Sequence, residues 1–472
     1  MKITLHPIDI AIIVSYFLVS ILISIFFFKR KQKFIDYVLC ARRLTLPLFV
    51  GSLVSTWYGG ILGIGEISYT HGAFYNWITQ GLAWYISYFI FAFFLATKIQ
   101  KSAKTTIPEQ LETFYGSTAG KIGVFLNYSA VIPSAYILSL GIIISLLFNI
   151  DANLGIVLSL VVAAFYSMIG GFWGEVYTDY LQFVFMCVGV ALLMIFSVLK
   201  LGGWNYLVAQ LPPSHFTLLG TWSADFIPSI QNLIIWGFIA LVTLVDPNFY
   251  QKCWAAENPR VAKYGVLLSI LFWCFFDMCT SFTGMYARAA LPHLQDAKLA
   301  FPLLADLILP VGIKGIVFAG MIATILSTID SFSFVAATSL ANDVYKKYIK
   351  PDASEQQLVW VTRIIVVLTF GVAFLIAQST TSIEKLWKIF GSIGSASLLV
   401  PLLFGLYRKS KAPKSAGVAS MVGGLSTVVM WMILTEYKCA PFSFMYGIEA
   451  LYPALLVSLG GYFLFSCIHR EK

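Results

Sequence analysis

Charge is scarce in this chain: 11% of its 472 residues are Asp, Glu, Lys or Arg, while 59% are hydrophobic. Soluble globular domains carry about a quarter charged residues, so a soluble fold is excluded and an all-α polytopic membrane protein is expected. The 31 Lys and Arg exceed the 22 Asp and Glu, for a net charge of +9. They are spread over short loops rather than gathered on one basic face, which argues against a nucleic-acid partner and for a lipid bilayer. Cysteine is sparse and scattered: Cys40, Cys187, Cys253, Cys274, Cys279, Cys439 and Cys467 include no CxxC, so neither a disulfide framework nor a zinc site follows. Five dispersed histidines leave no imidazole cluster, and no nucleophile–base set or HExxH motif points to an enzyme. No soluble domain and no organic cofactor are expected.

Apolar runs fill the rest. A span needs about 20 residues, and thirteen such runs can be placed, beginning near Ile8, Leu44, Ala73, Ile122, Leu154, Tyr180, Phe226, Tyr264, Gly315, Val359, Ile383, Val418 and Ala450. The first, Ile8 to Phe28, precedes rather than follows its basic cluster Lys29, Arg30, Lys31 and Lys33, so it reads as a retained helix and not a signal peptide. With the N-terminus outside, 23 of the 31 basic residues fall in inner loops, Lys252 and Arg363 among them, and the C-terminus is cytoplasmic. The only glycosylation triplet, Asn127-Tyr128-Ser129, sits inside a predicted helix, which favours a bacterial inner membrane. The expectation is an integral plasma membrane protein of one transporter domain, working as a monomer.

Polar groups at mid-span carry the functional argument. The ninth predicted helix holds Ser327, Thr328 and Asp330 near its centre. Such hydroxyls bond back to the preceding turn, ease close packing, or partner a desolvated cation. The second helix contains STWYGGILGIGE, Ser55 to Glu66, whose glycines either pack tightly or let the backbone unwind beside a cavity. The seventh is interrupted by Gly237 and by Asp246-Pro247. Breaks in helices two and seven, five apart, are the pointer to inverted repeats, helices two to six (44–199) and seven to eleven (226–406), preceded by helix 8–28 and followed by two helices within 418–468. Trp57, Tyr58, Gly59, Gly60 and Trp236 flank the breaks as candidate solute contacts, against the plain alternative of aromatic packing. Asp179, read as lying at a helix start, favours the helix dipole there. Asp277 is expected to bond Thr280, Ser281 or a facing amide as scaffold, and Glu66 and Asp246 would suit an amino or quaternary ammonium group.

Several ordered motifs then resemble the sodium:solute symporter family: LSTIDSFSFVAATSLANDVYKKY from Leu326, GGFWGEVYTDYLQF from Gly170, TIPEQLETFYGS from Thr106, DPNFYQKCWAAENP from Asp246 and TGMYARAALP from Thr283. The resemblance implies a LeuT-type core of five plus five helices and sodium as the coupling ion. It implies hydroxyl ligands from Ser327 and Thr328, carbonyl ligands from Leu53, Thr56 and Thr324, and Asp179 on the inward sodium path. Neutral oxygen donors suit a hard monovalent cation. The expected activity is sodium-coupled import of a small polar solute (amino acid, sugar or carboxylate) by alternating access. A solute sensor of the same fold and a proton-coupled carrier are the alternatives.

Overall fold

The computed structural model describes residues 3–28, 33–218, 226–379, 382–408, 413–436 and 448–468. Lys29, Arg30, Lys31 and Cys439, named above, lie outside the described residues, as do Lys409, Lys411, Arg470 and Lys472, which count among the inner basic residues. The described chain is helical. Numbered as crossings, the helices are α1 Pro7–Phe27, α2 Leu46–Trp57 with Ile61–His71, α3 Ala73–Ser102, α4 Ser117–Phe148, α5 152–170 and α6 172–201. They continue as α7 Phe226–Ile239 with Pro247–Ala255, α8 Pro259–Ala290, α9 Ile313–Ile349, α10 Glu355–Ala377, α11 Ile383–Tyr407, α12 Lys414–Glu436 and α13 Leu451–Ile468. Eleven are long and apolar enough to cross a membrane, and the bent pair forming α2 makes a twelfth. The apolar helix α5 takes the remaining place in the thirteen-helix order.

Large apolar side chains such as Leu22 and Phe26 on α1, Leu271 on α8, Leu375 on α10 and Leu456 on α13 are exposed, as expected of a lipid-facing belt. By contrast α9 is enclosed: every residue from Val317 to Ser339 is buried, with α1, α2, α4, α6 and α10 packed around it. A helix with no lipid face is free to carry polar residues, provided each finds a partner inside the protein.

Two breaks have visible causes. At Tyr58-Gly59-Gly60 the two halves of α2 bend by 58°. A Cβ on Gly59 would lie 2.3 Å from Thr328 Oγ1, and one on Gly60 would lie 2.1 Å from the Trp387 ring, so these glycines serve both unwinding and close approach. In α7 the helix runs straight through Gly237, contrary to expectation. Its interruption is the 3₁₀ turn Ala240–Val245 followed by Asp246, whose carboxylate caps the second half by accepting from Asn248 N at 2.8 Å and Phe249 N at 3.1 Å. Gly237 has no close neighbour at its Cβ position, whereas Pro247 removes a donor and starts a helix readily at its first position.

Several predicted starts were late. The sixth helix begins at 172 rather than at Tyr180, and Glu175 and Asp179, which precede the expected start, are both buried. Asp179 therefore sits in mid-helix and not at a helix start. Lys252 and Arg363 are not loop residues either: Lys252 has no exposed surface, and Arg363 is buried with its guanidinium over the Phe28 and Trp360 rings. The TIPEQLETFYGS segment forms the short helix Ile107–Tyr115, capped by Thr106, which also donates to Asp343 at 2.6 Å. The glycosylation-type Asn127 is buried inside α4.

Gly171 separates α5 from α6 with φ +60°, and a Cβ there would lie 2.5 Å from the Tyr37 ring. Gly171→Ala is expected to cost roughly 1–3 kcal/mol through backbone strain and overlap. Thermal unfolding of the purified protein in detergent checks this, with Gly237→Ala as the tolerated control.

Candidate functional site

The break in α2 frees backbone carbonyls at the depth where α9 presents hydroxyls. Thr328 Oγ1 donates to Thr56 O at 2.7 Å, and Ser327 Oγ donates to Ser55 O at 2.8 Å. Both hydroxyls also lie against Thr324 O, at 3.3 and 3.0 Å. Five oxygens from two helices thus converge with no formal charge among them, and Ser327, Thr328, Thr324, Ser55 and Thr56 are all fully buried. Leu53 is fully buried on the same helix, but the bonds that cross to α9 come from the carbonyls of Ser55 and Thr56. Back-bonding alone does not account for these hydroxyls, since each reaches both its own helix and the neighbouring one.

One turn further along α9 the chemistry changes from neutral to charged. Ser331 Oγ donates to Glu175 Oε1 at 2.7 Å, meets Thr56 Oγ1 at 2.9 Å and lies 3.5 Å from Lys252 Nζ. Lys252 pairs with Glu175 at 3.9 Å, both side chains being almost wholly enclosed. Asp179 accepts from Ser52 Oγ at 2.5 Å. Sequence reasoning did not connect Glu175, Lys252 and Ser331. The one available signal was their presence in the matched motifs; that a lysine counted in a loop would turn inward needed the packing of α7 against α9.

A cavity of about 150 Å³ borders the α2 break, lined by α2, α3, α4, α7, α8, α9 and α11. Of the five solute candidates, Trp57, Tyr58, Gly60 and Trp236 line it, whereas Gly59 faces Thr328 instead. Trp84, Tyr88, Trp273 and Trp387 extend its aromatic wall, with Tyr136, Phe332 and Phe390. Trp57 and Trp84 meet edge to face, 5.7 Å apart at 69°. Asp277 lines the cavity too; its partners are not Ser281 or a backbone amide but the hydroxyls of Tyr58 and Tyr85, which bond its two oxygens, with Thr280 reaching Tyr58 at 3.1 Å. These phenols come from α2 and α3, which no pattern within α8 could disclose. Asp246 lines the cavity as well, while Glu66 is half-buried on α2 and does not.

A bundle with two broken helices, a cavity between them and buried polar atoms at the same depth defines a membrane transporter. The model of the sodium:solute symporter family matches residues 37–424, and the chain belongs to that family. It is an integral membrane protein that couples sodium to the movement of a small solute. It is similar to the high-affinity proline transporter PutP of Bacillus subtilis (strain 168), 25% identical over 433 residues, covering 87% of this chain and 89% of the relative. The sodium/proline symporter of Staphylococcus aureus is 24% identical, covering 95% and 90%. Among solved structures, a Na+-coupled sialic acid symporter in a substrate-bound outward-open state superposes with a TM-score of 0.76 at 19% identity, covering 97% of this chain and 98% of that one. A nucleobase-cation-symport-1 family transporter superposes at 0.53 and 12% identity, covering 93% and 97%. The architecture is the LeuT-like one.

The Glu175–Lys252 pair generates a test. Lys252→Met strands a buried carboxylate and is expected to cost about 3–5 kcal/mol, whereas adding Glu175→Leu to it should recover much of that loss. Denaturation of the two variants measures the difference; equal losses would mean that the pair is not coupled.

Proposed function

We infer that one sodium ion binds where the unwound part of α2 faces α9, held by the hydroxyl oxygens of Ser327 and Thr328 and the carbonyl oxygens of Leu53, Thr56 and Thr324, with Ser55 O at their rim. The observation that carries this is the pair of hydroxyl-to-carbonyl bonds across the two helices, at 2.7 and 2.8 Å. The atoms that bond one another there are the neutral oxygen donors a hard cation prefers. A cation placed among them draws the carbonyls of α2 and the hydroxyls of α9 to one centre, which orders the break and with it Trp57, Tyr58 and Gly60 at the edge of the solute cavity.

The solute occupies that cavity. Alternating access follows from rocking of the two repeats, 44–199 and 226–406, about the shared site. In the orientation with the N-terminus outside, in a bacterial inner membrane, Ser52, Asp179, Ser331, Glu175 and Lys252 lie on the inward side of the ion. Asp179 then receives sodium on its way to the cytoplasm, and the Glu175–Lys252 pair closes that way while the ion is bound. The working unit in this reading is the monomer. One sodium entering at about 100 mV supplies about 2.3 kcal/mol, and a tenfold gradient adds roughly 1.4. Together they sustain accumulation of a neutral solute by several hundredfold.

Ser327→Ala and Thr328→Ala each remove one oxygen from the cation, a contact worth about 1.5–3 kcal/mol. Half-maximal sodium for uptake in proteoliposomes is expected to rise roughly tenfold or more, and without sodium each variant also leaves one buried carbonyl of α2 short of its donor, at about 1–3 kcal/mol of stability. Unchanged sodium dependence in folded variants would remove these residues from the site. Sodium-dependent thermal stabilisation of the wild-type protein, lost in both variants, gives the same answer without transport.

A further inference from the structure

Resting on the reading of this cavity as the solute site, we propose that the transported solute is a small organic cation of the quaternary or tertiary ammonium class. Among the described lining residues there are two carboxylates, Asp246 and Asp277, and no Lys, Arg or His. The two nearby lysines are engaged elsewhere. Lys252 pairs with Glu175, and Lys388, 6.0 Å from the Trp236 ring, pairs with Glu449 at 3.3 Å.

A solute carrying its own carboxylate would bring a third acidic group into a poorly hydrated space with no basic side chain among the described lining residues to meet it. The other usual receptor for such a group is the N-terminus of a broken helix. In α7 that receptor is already filled, because Asp246 itself takes the amides of Asn248 and Phe249. The second half of α2 begins at Gly60 with no side-chain cap, but Tyr58 at that same break holds the Asp277 carboxylate, so an acidic side chain stands beside each of the two breaks.

Positive charge meets the opposite treatment. Trp57, Trp84, Tyr88, Trp236, Trp273 and Trp387 present rings to the cavity, and the edge-to-face pair Trp57–Trp84 makes a corner of two differently oriented π surfaces. Aromatic walls around a desolvated cation are the arrangement that recognises methylated ammonium groups, which are too weakly hydrated to resist transfer and too bulky to sit in a single carboxylate contact. Gln80 Nε2 also lines the cavity and has no acceptor among the described residues, a donor suited to a hydroxyl or carbonyl oxygen on the solute. The volume of about 150 Å³ matches that of a cavity known to admit benzene, so the solute has on the order of ten non-hydrogen atoms or fewer. A nine-carbon sugar acid exceeds that.

The whole protein in proteoliposomes with an inward sodium gradient tests this, with radiolabelled choline as the probe. Saturable, sodium-dependent choline uptake is expected. Tetramethylammonium should compete, while the neutral isostere in which carbon replaces the quaternary nitrogen should compete at least roughly tenfold more weakly. Two positive charges should enter per choline if one sodium accompanies it. Trp84→Leu and Asp277→Asn should each raise the KM for choline at least roughly tenfold, and Trp84→Phe should restore most of the loss. Sodium-dependent thermal stabilisation, which depends on other residues, should persist in all three. Sodium-driven uptake of proline or sialic acid without choline uptake, or equal competition by the neutral isostere, would overturn the assignment while leaving the sodium site intact. Absence of any sodium effect on uptake or stability would instead overturn the function on which it rests.

Discussion

Inside a bilayer, a backbone carbonyl released from its helix has no water to turn to, so whatever frees it must stand beside something that receives it. Here the release is the break at Tyr58-Gly59-Gly60, and the receivers are the hydroxyls of Ser327 and Thr328. Each half explains the other. Hydroxyls in mid-membrane would be costly on a lipid-facing helix, and unwound backbone would be costly without donors. Gly59 permits the approach, since a Cβ there would collide with Thr328. The enclosure of α9 by neighbouring helices is what makes the meeting possible.

From that junction the polar interior divides into two regions of different chemistry. One side holds fixed charge, the pair Glu175–Lys252 joined through Ser331 to Thr56, with Asp179 bonded to Ser52 nearby. The Glu175–Lys252 charges persist because they meet each other, whereas Asp179 has a hydroxyl on one oxygen and no partner among the described residues on the other. The junction itself has only neutral oxygens. Its members can therefore stand bonded to one another with no charge left over when no ion is present, and the oxygens that bond one another are of the neutral kind a monovalent cation accepts. The cavity beside the break joins aromatic rings with Asp246 and Asp277 and offers no basic side chain among the described residues.

The relatives share about a quarter of their residues with this chain over nearly its whole length. Likeness of that kind carries the family and, with the structural neighbours, the architecture. It does not carry the solute, because a handful of lining side chains determines what the cavity accepts, and those can change while the packing of thirteen helices is preserved. Trp84, Trp387 and Asp277 come from three different helices and acquire their common role only by facing one space.

Composition and run length were enough to determine an all-helical membrane protein and nearly every crossing, because hydrophobic thickness is read along the chain one segment at a time. Motif order identified the family, and the depth of Ser327 and Thr328 marked them as atoms in need of partners. Helix ends were less legible where charge lay inside: Glu175, Asp179 and Lys252 look like loop residues until their partners are known. Only the tertiary structure decided that the break in α7 lies at the 3₁₀ turn rather than at Gly237, and that Asp277 answers to Tyr58 and Tyr85. It also decided that the carbonyls crossing to α9 are those of Ser55 and Thr56. The reason is common to all three. A local pattern states what each residue needs, whereas the side chain or backbone group that meets the need is supplied by another helix, often hundreds of positions away, and is set by how the bundle closes.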